Sequence, residues 1–346
     1  MLALRRNLAS YVPPRTAEAT LLLATWNLRD FGSNKFGHGN RLPESMYYIA
    51  EIISAFDLVA VQEVNEDMTS WERIMELLGP SWRYIATDVT EGASGNGERM
   101  VFVYDSDKVQ FKHIAGEIVL PKSKKNAIDQ FARTPFLVRF QSGWFKFNLC
   151  TVHLYYGAAT GAGKRRRVEE IKAIGSFLKK RAKKDNQNYI LLGDMNVVDP
   201  DDETMKALLS SGFVLPKDLM MGTDEMKWAT NMTESKHYDQ IAFMVRKDEL
   251  EPGPSENNAG VFNYYNTLFL EDSAEDYYTI SKKEGKWPKT ISARKNYFQK
   301  EWRTWQMSDH LPLFVELKID FTEKYLHRIR EGTQPVQPPT PDATDS

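Results

Sequence analysis

The segment from Tyr189 to Asn196, which reads YILLGDMN, constrains the fold more than any other stretch of the chain. A short apolar run stops at a glycine, as a buried strand does, and a carboxylate and a carboxamide follow. Residues two apart in an extended segment point to the same side, so Asp194 and Asn196 can address one substrate atom or one hydrated metal ion. Active sites of open α/β sheets lie at such strand ends. Alone, the segment also fits a Gly-Asp turn that caps the next helix.

Five further segments place a polar group at one end of a short apolar run. In chain order these polar groups are Asn27, Glu63, His153, Asp239 and the pair Asp309-His310. The first three follow their runs, as Asp194 does, whereas the last two precede theirs. If all of them line one site, the last two strands must run opposite to the others. The sequence therefore predicts mixed sheets and disfavours a purely parallel doubly wound fold.

Local patterns predict the remaining secondary structure. Apolar periodicity and capping residues predict helices over 45–55, 71–78, 164–184 and 199–210, the last with Pro200 in its first turn. Short apolar or alternating runs predict strands over 21–27, 57–63, 82–87, 98–104, 109–120, 136–141, 144–152, 189–194, 238–243 and 308–315.

We expect a single domain over residues 19–320, because the site-like residues extend from near 25 to near 310 and a central boundary would divide them. Residues 1–18 read as an irregular N-terminal arm. Residues 321–346 read as a tail that is disordered, since its end is rich in Pro, Thr and Asp. Residues 250–306 form an elongated insertion, rich in Tyr, Trp and Lys, whose pattern assigns no secondary structure.

Charge and cysteine content limit the classes of function. The formal net charge of −2 gives no global attraction to nucleic acid, so any polyanion must be held by a local patch or through a metal. Cys150 is the sole cysteine, which excludes an intrachain disulfide and a Cys-rich zinc site. The first six residues have the wrong order of charges for a signal peptide, and no apolar stretch approaches the roughly 20 residues of a membrane span. We expect a soluble, cytoplasmic protein.

The oxygen-bearing groups suit a hard cation. Two acids, Glu63 and Asp309, with the carboxamides of Asn27 and Asn196, predict a site for Mg²⁺ or Mn²⁺ that keeps several waters. Such a cation polarises a phosphoryl oxygen and offsets charge on a leaving oxygen. Each residue alone also has an ordinary structural reading, such as a turn at Asn27, but their joint occurrence at strand ends favours the site.

Two histidines complete the predicted chemistry. His153 and His310 can donate hydrogen bonds to phosphate oxygens or protonate a leaving group, provided that a carboxylate fixes each ring. Asp239 and Glu98 are the candidates for these carboxylates. The combination is what phosphodiester hydrolysis requires.

Six short motifs resemble, in order, those of the endonuclease/exonuclease/phosphatase superfamily, and within it the deoxyribonuclease I-like nucleases. They are TWN at 25–27, QEV at 62–64, VHL at 152–154, GDMN at 193–196, YDQI at 238–241 and SDHLP at 308–312. NLRDFG at 27–32, ER at 98–99 and FARTP at 131–135 are also similar, and the likeness runs from about 22 to 318. It implies a four-layer α/β sandwich, in which two packed mixed β-sheets are flanked by helices.

The resemblance implies three tasks for the site residues. Those near the metal are Asn27, Glu63 and Asp309. Those that position or deprotonate the attacking water, bind the scissile phosphate or assist departure are Asp194 with Asn196, His310 backed by Asp239, and His153 backed by Glu98. Those that contact backbone phosphates are Arg29 and Arg133.

Some positions depart from the nuclease pattern. The two disulfides of the family nuclease cannot form here, and the loop at 95–97 lacks the tyrosine that the family nuclease inserts into the minor groove. Within 250–306, the aromatic residues Trp287, Tyr297, Trp302 and Trp305 either stack on single-stranded nucleic acid or are buried in a helical insertion. The basic runs at 164–167 and 179–184 are either a solvated helix face or a nucleic-acid patch.

We therefore expect a phosphodiesterase dependent on Mg²⁺ or Mn²⁺ that hydrolyses nucleic-acid backbones, with DNA rather than RNA as its partner, and more specifically a DNA endonuclease of low sequence specificity. A phosphatase or phosphodiesterase for a small or lipid phosphate is the alternative, because rim loops rather than motifs set the substrate. The loops at 92–97 and 122–133 and the insertion decide between a basic groove and a closed pocket. A catalytically silent binding module is disfavoured, since every metal and histidine position is filled.

Overall fold

The computed structural model describes residues 1–34, 37–90, 97–122, 127–216, 228–246, 249–277, 288 and 290–332. Its strands are β1 (Thr20–Phe31), β2 (Leu58–Asn65), β3 (Trp82–Ala86), β4 (Glu98–Asp105), β5 (Gln110–Glu117), β6 (Phe136–Ser142), β7 (Phe145–His153), β8 (Tyr189–Asp194), β9 (Asp239–Met244), β10 (Ala259–Val261) and β11 (Leu313–Lys318). Its α-helices are α1 (Leu2–Tyr11), α2 (Pro43–Ser54), α3 (Thr69–Leu78), α4 (Gly161–Asp185), α5 (Glu203–Ser210), α6 (Ile291–Tyr297), α7 (Arg303–Gln306) and α8 (Thr322–Arg330). A π-helical turn, Phe298–Trp302, joins α6 to α7.

The strands form two mixed sheets. The first has the order β10-β11-β1-β2-β4-β3 and the second has the order β5-β6-β7-β8-β9. Strands β1 and β2 are parallel, as are β7 and β8, and the other pairs are antiparallel. In particular, β9 runs opposite to β8 and β11 runs opposite to β1. The predicted reversal of the last two strands is confirmed.

The alternation along β8 shows how the sheets are stacked. Ile190 and Leu192 belong to the core between the sheets, whereas Tyr189 and Leu191 pack with α4 and α5 in a second apolar cluster. Successive side chains of a strand point to opposite faces, so the second sheet is covered on both sides. On the first sheet, Trp71 of α3 packs edge-on against Phe31 and Tyr84. The four-layer sandwich, with two mixed sheets and flanking helices, is confirmed.

The two chain ends differ from the sequence expectation. Residues 2–11 form α1, whose Leu4 and Leu8 are buried in the core, so the arm at 1–18 is not irregular throughout. Residues 322–330 form α8, so the prediction of disorder over 321–346 is wrong for that part, and 333–346 lie outside the described residues. In both places a short helix lies next to a stretch that is rich in proline.

The insertion at 250–306 buries its aromatic residues. Tyr297, Phe298, Trp302 and Trp305 are each 7% exposed or less, and Trp302 stacks on Phe298 at 5.3 Å between ring centroids. Of the two readings of these aromatic residues, burial in the insertion is confirmed for Tyr297, Trp302 and Trp305, and a stacking surface for nucleic acid on them is excluded because their rings are buried. Trp287 lies outside the described residues.

The start of α5 and the start of the last strand differ from the predicted boundaries. Asp202 caps α5 by accepting hydrogen bonds from Thr204 N and Met205 N, so Pro200 precedes the helix instead of occupying its first turn. The last strand starts at Leu313, which leaves Asp309 and His310 in the loop before it. In the part of the chain that the structure describes, no helix has both the length and the apolar character needed to cross a bilayer.

Candidate active site

Three neighbouring strands bring three predicted site residues side by side. The parallel register of β7 and β8 pairs His153 with Asp194, and the antiparallel register of β8 and β9 pairs Asp194 with Asp239. The first two residues end their strands and the third begins its strand. The polar groups at these strand ends therefore meet at one edge of the second sheet.

Gly193 makes this arrangement possible. Its φ of +126° lies in the region that disfavours L side chains, and a Cβ there would lie 2.2 Å from the carbonyl oxygen of Val152. Any larger residue would push β7 away from β8 beside His153. The glycine before Asp194 is thus required by a close approach of two backbones.

The first sheet contributes through two irregularities in its strands. The register between β1 and β2 shifts between Asn27 and Phe31, and Arg29, Asp30 and Glu63 have positive φ values of 45°, 47° and 62°. Left-handed backbone in residues other than glycine is costly and concentrates at functional sites. Here it aims the Glu63 carboxylate inward, where Oε1 accepts from Asn27 Nδ2 at 2.8 Å and Oε2 accepts from Asp30 N at 2.9 Å.

Asn27 connects the two sheets across the site. Its Nδ2 also donates to Asp194 Oδ2 at 3.0 Å, while its Oδ1 accepts from Arg29 N at 2.8 Å. The other carboxylate oxygen of Asp194 accepts from Asn196 N at 2.9 Å, and Asn196 Nδ2 donates to Leu154 O at 2.8 Å. Asp194 is only 2% exposed and is fixed from both sides.

His153 is held by a buried carboxylate, as predicted. Its Nδ1 lies 2.5 Å from Glu98 Oε1 at the start of β4, and its Nε2 lies 3.6 Å from Asp194 Oδ2. Burial acts most strongly and would lower the pKa of His153, but the charge and hydrogen bond of Glu98 together with the charge of Asp194 raise it. The ring is therefore biased toward the imidazolium form.

His310 is held in the same manner from the opposite side. Its Nδ1 lies 2.7 Å from Asp239 Oδ2, and its Nε2 lies 3.8 Å from Asp194 Oδ2. Burial acts to lower the pKa of His310, yet Asp239 and Asp194 together raise it well above the usual range. Ser308 Oγ accepts from His310 N at 3.0 Å and donates to Asn27 O at 2.6 Å, which fixes the loop before β11.

The two imidazoles converge on one carboxylate oxygen. Both Nε2 atoms face Asp194 Oδ2, and each ring has its Nδ1 occupied by a different buried carboxylate. Two oriented N–H donors beside a carboxylate can hold an anionic group, and the carboxylate can accept a proton from a water. This arrangement is what in-line hydrolysis of a phosphoester needs.

The donor set fits a hard divalent cation. The ligand atoms of Glu63, His153 and Asp194 lie within 4.8 Å of one another. Burial raises the pKa of Glu63, which means that its ionised form lacks sufficient compensating positive charge nearby. Carboxylate oxygens that lack compensation are ligands that Mg²⁺ or Mn²⁺ prefers. Glu63 is the residue best placed to hold such an ion.

The other predicted metal ligands are placed differently. Asn27 directs its NH₂ group, not its oxygen, toward Glu63 and Asp194. The Asp309 side chain is 49% exposed, and its Oδ1 lies 3.9 Å from Arg29 Nε. Among the described residues, the ligand atoms close enough to share a metal ion form two groups, and Asp309 belongs to neither. These groups are Glu63, His153 and Asp194, and Asp194, Asp239 and His310. Metal ligation by these two residues stays a prediction.

The two predicted phosphate contacts also differ from each other. Arg29 reaches Thr304 Oγ1 and Asp309 at the rim of the site. Arg133 is 7% exposed, and its Nε lies 2.5 Å from Glu98 Oε1, the same oxygen that holds His153. It therefore supports His153 through Glu98, and contact of either arginine with phosphate stays a prediction.

Three residues that support the site were not predicted from the sequence, namely Arg41, Arg167 and Glu170. Arg41 donates to the carbonyls of Leu28 and Arg29, each at 2.7 Å, and so braces the irregular end of β1. Glu170 accepts from Ala132 N and Tyr155 N, both at 2.9 Å, next to Arg133 and His153. Arg167 and Glu170 are fully buried on α4.

A pattern in the sequence could have revealed the residues on α4. Positions 167, 170, 171, 174 and 178 have helical spacing, and all of them are buried. The basic run at 164–167 is thus not a uniformly solvated face, because its last arginine lies on the apolar stripe. No comparable local pattern marks Arg41.

A comparison with known proteins identifies the family. The endonuclease/exonuclease/phosphatase family matches residues 24–238, which is more than half of the chain. A deoxyribonuclease of Thioalkalivibrio sp. is 28% identical over 169 residues, covering 47% of this chain and 42% of that protein. Deoxyribonuclease-1 of the dog, Canis lupus familiaris, is 26% identical over 186 residues, covering 51% of this chain and 60% of that protein. The matches thus span about half the length of these relatives.

Solved structures agree on the fold. A mannosyl-6-phosphatase of Bacteroides thetaiotaomicron superposes with a TM-score of 0.54 at 17% identity, over 86% of this chain and 99% of that one. This similarity concerns the fold alone. The chain belongs to the endonuclease/exonuclease/phosphatase family.

Proposed function

We propose that this chain is a divalent-metal-dependent phosphodiesterase that hydrolyses nucleic-acid backbones, and that it acts as a DNA endonuclease of low sequence specificity. One observation carries the proposal. The Nε2 atoms of His153 and His310 lie 3.6 and 3.8 Å from the same oxygen of Asp194, with a buried carboxylate behind each ring. Two cationic donors and a base thereby face one another, which is the arrangement that binding and hydrolysis of a phosphate group need.

In the proposed reaction, Asp194 accepts a proton from a water as the water oxygen bonds to phosphorus. Asn27 and Asn196 hold the carboxylate in place while this occurs. His153 and His310 donate hydrogen bonds to the non-bridging oxygens. When the bond between phosphorus and the leaving sugar oxygen breaks, one imidazolium supplies the proton that the leaving oxygen takes.

A divalent cation held by Glu63 would offset negative charge on the phosphate and on the leaving oxygen. Asn27 and Asp30 N keep both oxygens of that carboxylate oriented. The left-handed backbone at Glu63 is then a cost that the fold tolerates for the sake of this orientation.

DNA is the proposed substrate because relatives that match at the sequence level, such as those of Thioalkalivibrio sp. and of the dog, are deoxyribonucleases. The alternative is a phosphatase that acts on a small phosphate. It is supported by the fold shared with the mannosyl-6-phosphatase, in which the same sandwich serves a sugar phosphate. Loops around the site, rather than the catalytic residues, decide between the two substrates.

The experiment is a cleavage assay over several substrates. Purified protein in Mg²⁺ or Mn²⁺ is given supercoiled plasmid, linear duplex, single-stranded DNA, RNA and a sugar phosphate, with His310→Gln as the inactive variant. Asp201→Asn, an exposed site on a loop, is the matched control. Nicking of DNA that EDTA and His310→Gln both abolish supports the proposal. Release of phosphate from the sugar phosphate without cleavage of any polymer would replace it with the alternative.

A further inference from the structure

A pair of tyrosines extends from His310 toward the surface. The ring of Tyr238, the residue before Asp239, lies 5.5 Å from the His310 ring between centroids, at an interplanar angle of 36°. The ring of Tyr156 lies 6.3 Å further on and meets Tyr238 nearly at right angles, at 84°. We call Tyr156 and Tyr238 the tyrosine ledge. It forms a continuous aromatic path from a phosphate-binding imidazole to solvent.

Tyr156 stands on a rigidly built loop between His153 and α4. Arg167 is fully buried, its guanidinium carbon lies 5.2 Å from the Tyr156 ring centroid, and its NH1 group donates to the Tyr156 carbonyl at 2.9 Å. The first turn of α4 also packs tightly against this loop, because a Cβ on Gly163 would lie 2.4 Å from Ala158 N. Burial of an arginine costs free energy unless its donors are hydrogen-bonded, and here the guanidinium holds the loop that carries Tyr156.

Part of the Tyr156 ring is open to solvent. The residue remains 41% exposed, although Arg167 covers one face of the ring and Tyr238 meets it edge-on. Because the loop holds this exposed ring next to Tyr238, which contacts His310, the ring is placed to contact a group bound beside the site. The chemistry of the exposed part is that of a flat π-surface with a phenol at its tip.

The position of the ledge selects the kind of group that it can contact. Tyr238 immediately precedes Asp239, and its ring lies 5.5 Å from that of His310, so the ledge borders the acidic site directly. A planar ring attached to the reacting phosphate, held one or two ring widths from His310, would meet it face-on.

We propose that the tyrosine ledge stacks an unpaired nucleobase next to the scissile phosphate, with Tyr156 as the exposed platform. The proposal rests on the phosphodiesterase function above and specifies its substrate as single-stranded nucleic acid. In a duplex, both faces of each base are covered by its neighbours, so a protein ring can stack only on a base that has left the helix. Aromatic platforms of this kind bind single strands without a strict sequence preference.

The test compares two oligonucleotides that differ only in their bases. Each is a single-stranded hexamer with one cleavable phosphodiester at its centre and methylphosphonates elsewhere, and the central residues are either thymidine or abasic tetrahydrofuran. Steady-state cleavage in Mg²⁺ is measured for the wild type, Tyr156→Ala, Tyr156→Phe and Tyr47→Ala. Tyr47 is 48% exposed on α2 and serves as the matched control for loss of an exposed tyrosine. Thermal unfolding confirms that each variant is folded.

Tyr156→Ala should raise the KM for the thymidine oligonucleotide about tenfold relative to the abasic one, since base stacking of this kind contributes that much or more. Tyr156→Phe should restore the wild-type ratio because it keeps the ring. Equal effects of Tyr156→Ala on both oligonucleotides, or no effect on either, would overturn the ledge while leaving the phosphodiesterase intact. If the wild type cleaves neither the hexamers nor any other nucleic acid, the proposed function fails and the ledge fails with it.

Discussion

Replacement of Asp239 by Asn tests whether the carboxylate behind His310 sets the charge of that ring. Asp239 is fully buried, and its Oδ2 lies 2.7 Å from His310 Nδ1. A neighbouring opposite charge raises a histidine pKa by about 1–3 units. Asparagine has nearly the same shape and lacks the charge, so the pKa of His310 should fall from its raised value.

The sign follows from the direction of the shift. Because the pKa of His310 is raised in the folded wild type, the imidazolium persists to a higher pH in the wild type than in Asp239→Asn. The ratio of wild-type to variant kcat/KM should therefore increase by about tenfold or more between pH 6 and pH 8, since an opposite charge shifts a pKa by about 1–3 units. The assay is initial-rate cleavage of single-stranded DNA in Mg²⁺, with Asp201→Asn as the control. A ratio that stays constant across this range would refute the reasoning and leave Asp239 a purely structural role.

Three further changes have definite expected outcomes. Arg41→Met removes two hydrogen bonds to backbone carbonyls, so the free energy of unfolding should fall by about 2–4 kcal/mol in urea denaturation and the kcat of cleavage by about 100-fold. A kcat within threefold of the wild type would show that the irregular end of β1 does not need Arg41. Mg²⁺ at about 100 times its Kd should stabilise the wild type by about 2.7 kcal/mol, and Glu63→Gln should lose this gain; an equal gain in both would remove Glu63 from the metal site. Glu170→Gln should cost about 1–3 kcal/mol, since an amide N–H then faces a backbone donor; an unchanged melting temperature would contradict this.

The pattern of apolar runs and polar ends predicts the mixed sheets, whereas the four-layer architecture and the roles of the site residues follow from the family resemblance. A short apolar run with a polar end predicts a buried strand and the edge where it stops, and the order of run and polar group gives the strand direction. Asp194 and Asp239 illustrate this, since one ends β8 and the other begins the antiparallel β9. The pairing of each histidine with its carboxylate came from the family resemblance, and the contacts of His153 with Glu98 and of His310 with Asp239 agree with it.

The supporting structure was harder to predict because it depends on contacts between distant parts of the chain. Leu42 N and Ser45 Oγ both donate to Gln306 Oε1, more than 260 residues away, and the Arg41 guanidinium lies 5.2 Å from the centroid of the Trp305 ring. No local pattern encodes such contacts. For the same reason, the sequence left open whether Tyr297, Trp302 and Trp305 form a binding surface or are buried, and the fold buries them.

Residues with a left-handed backbone conformation were also not predicted from the sequence. Glycine signals such a backbone conformation in a sequence, but here Arg29, Asp30, Glu63 and Asn196 adopt it. The intrinsic preference of these residues is overruled by hydrogen bonds that form only in the folded site, such as the bond from Asp30 N to Glu63. Intrinsic backbone preference therefore does not predict these residues, because the hydrogen bonds of the site require a backbone conformation that this preference disfavours.

The most direct measurement is single-turnover cleavage of DNA in Mg²⁺ by wild type and by Asp194→Asn. The variant keeps the size of the side chain and removes the base toward which both imidazoles converge. A loss of at least about 10²-fold in the cleavage rate, with an unchanged melting temperature and with DNA binding retained, is the predicted result. A folded Asp194→Asn that cleaves within tenfold of the wild type would contradict the proposed role of this site.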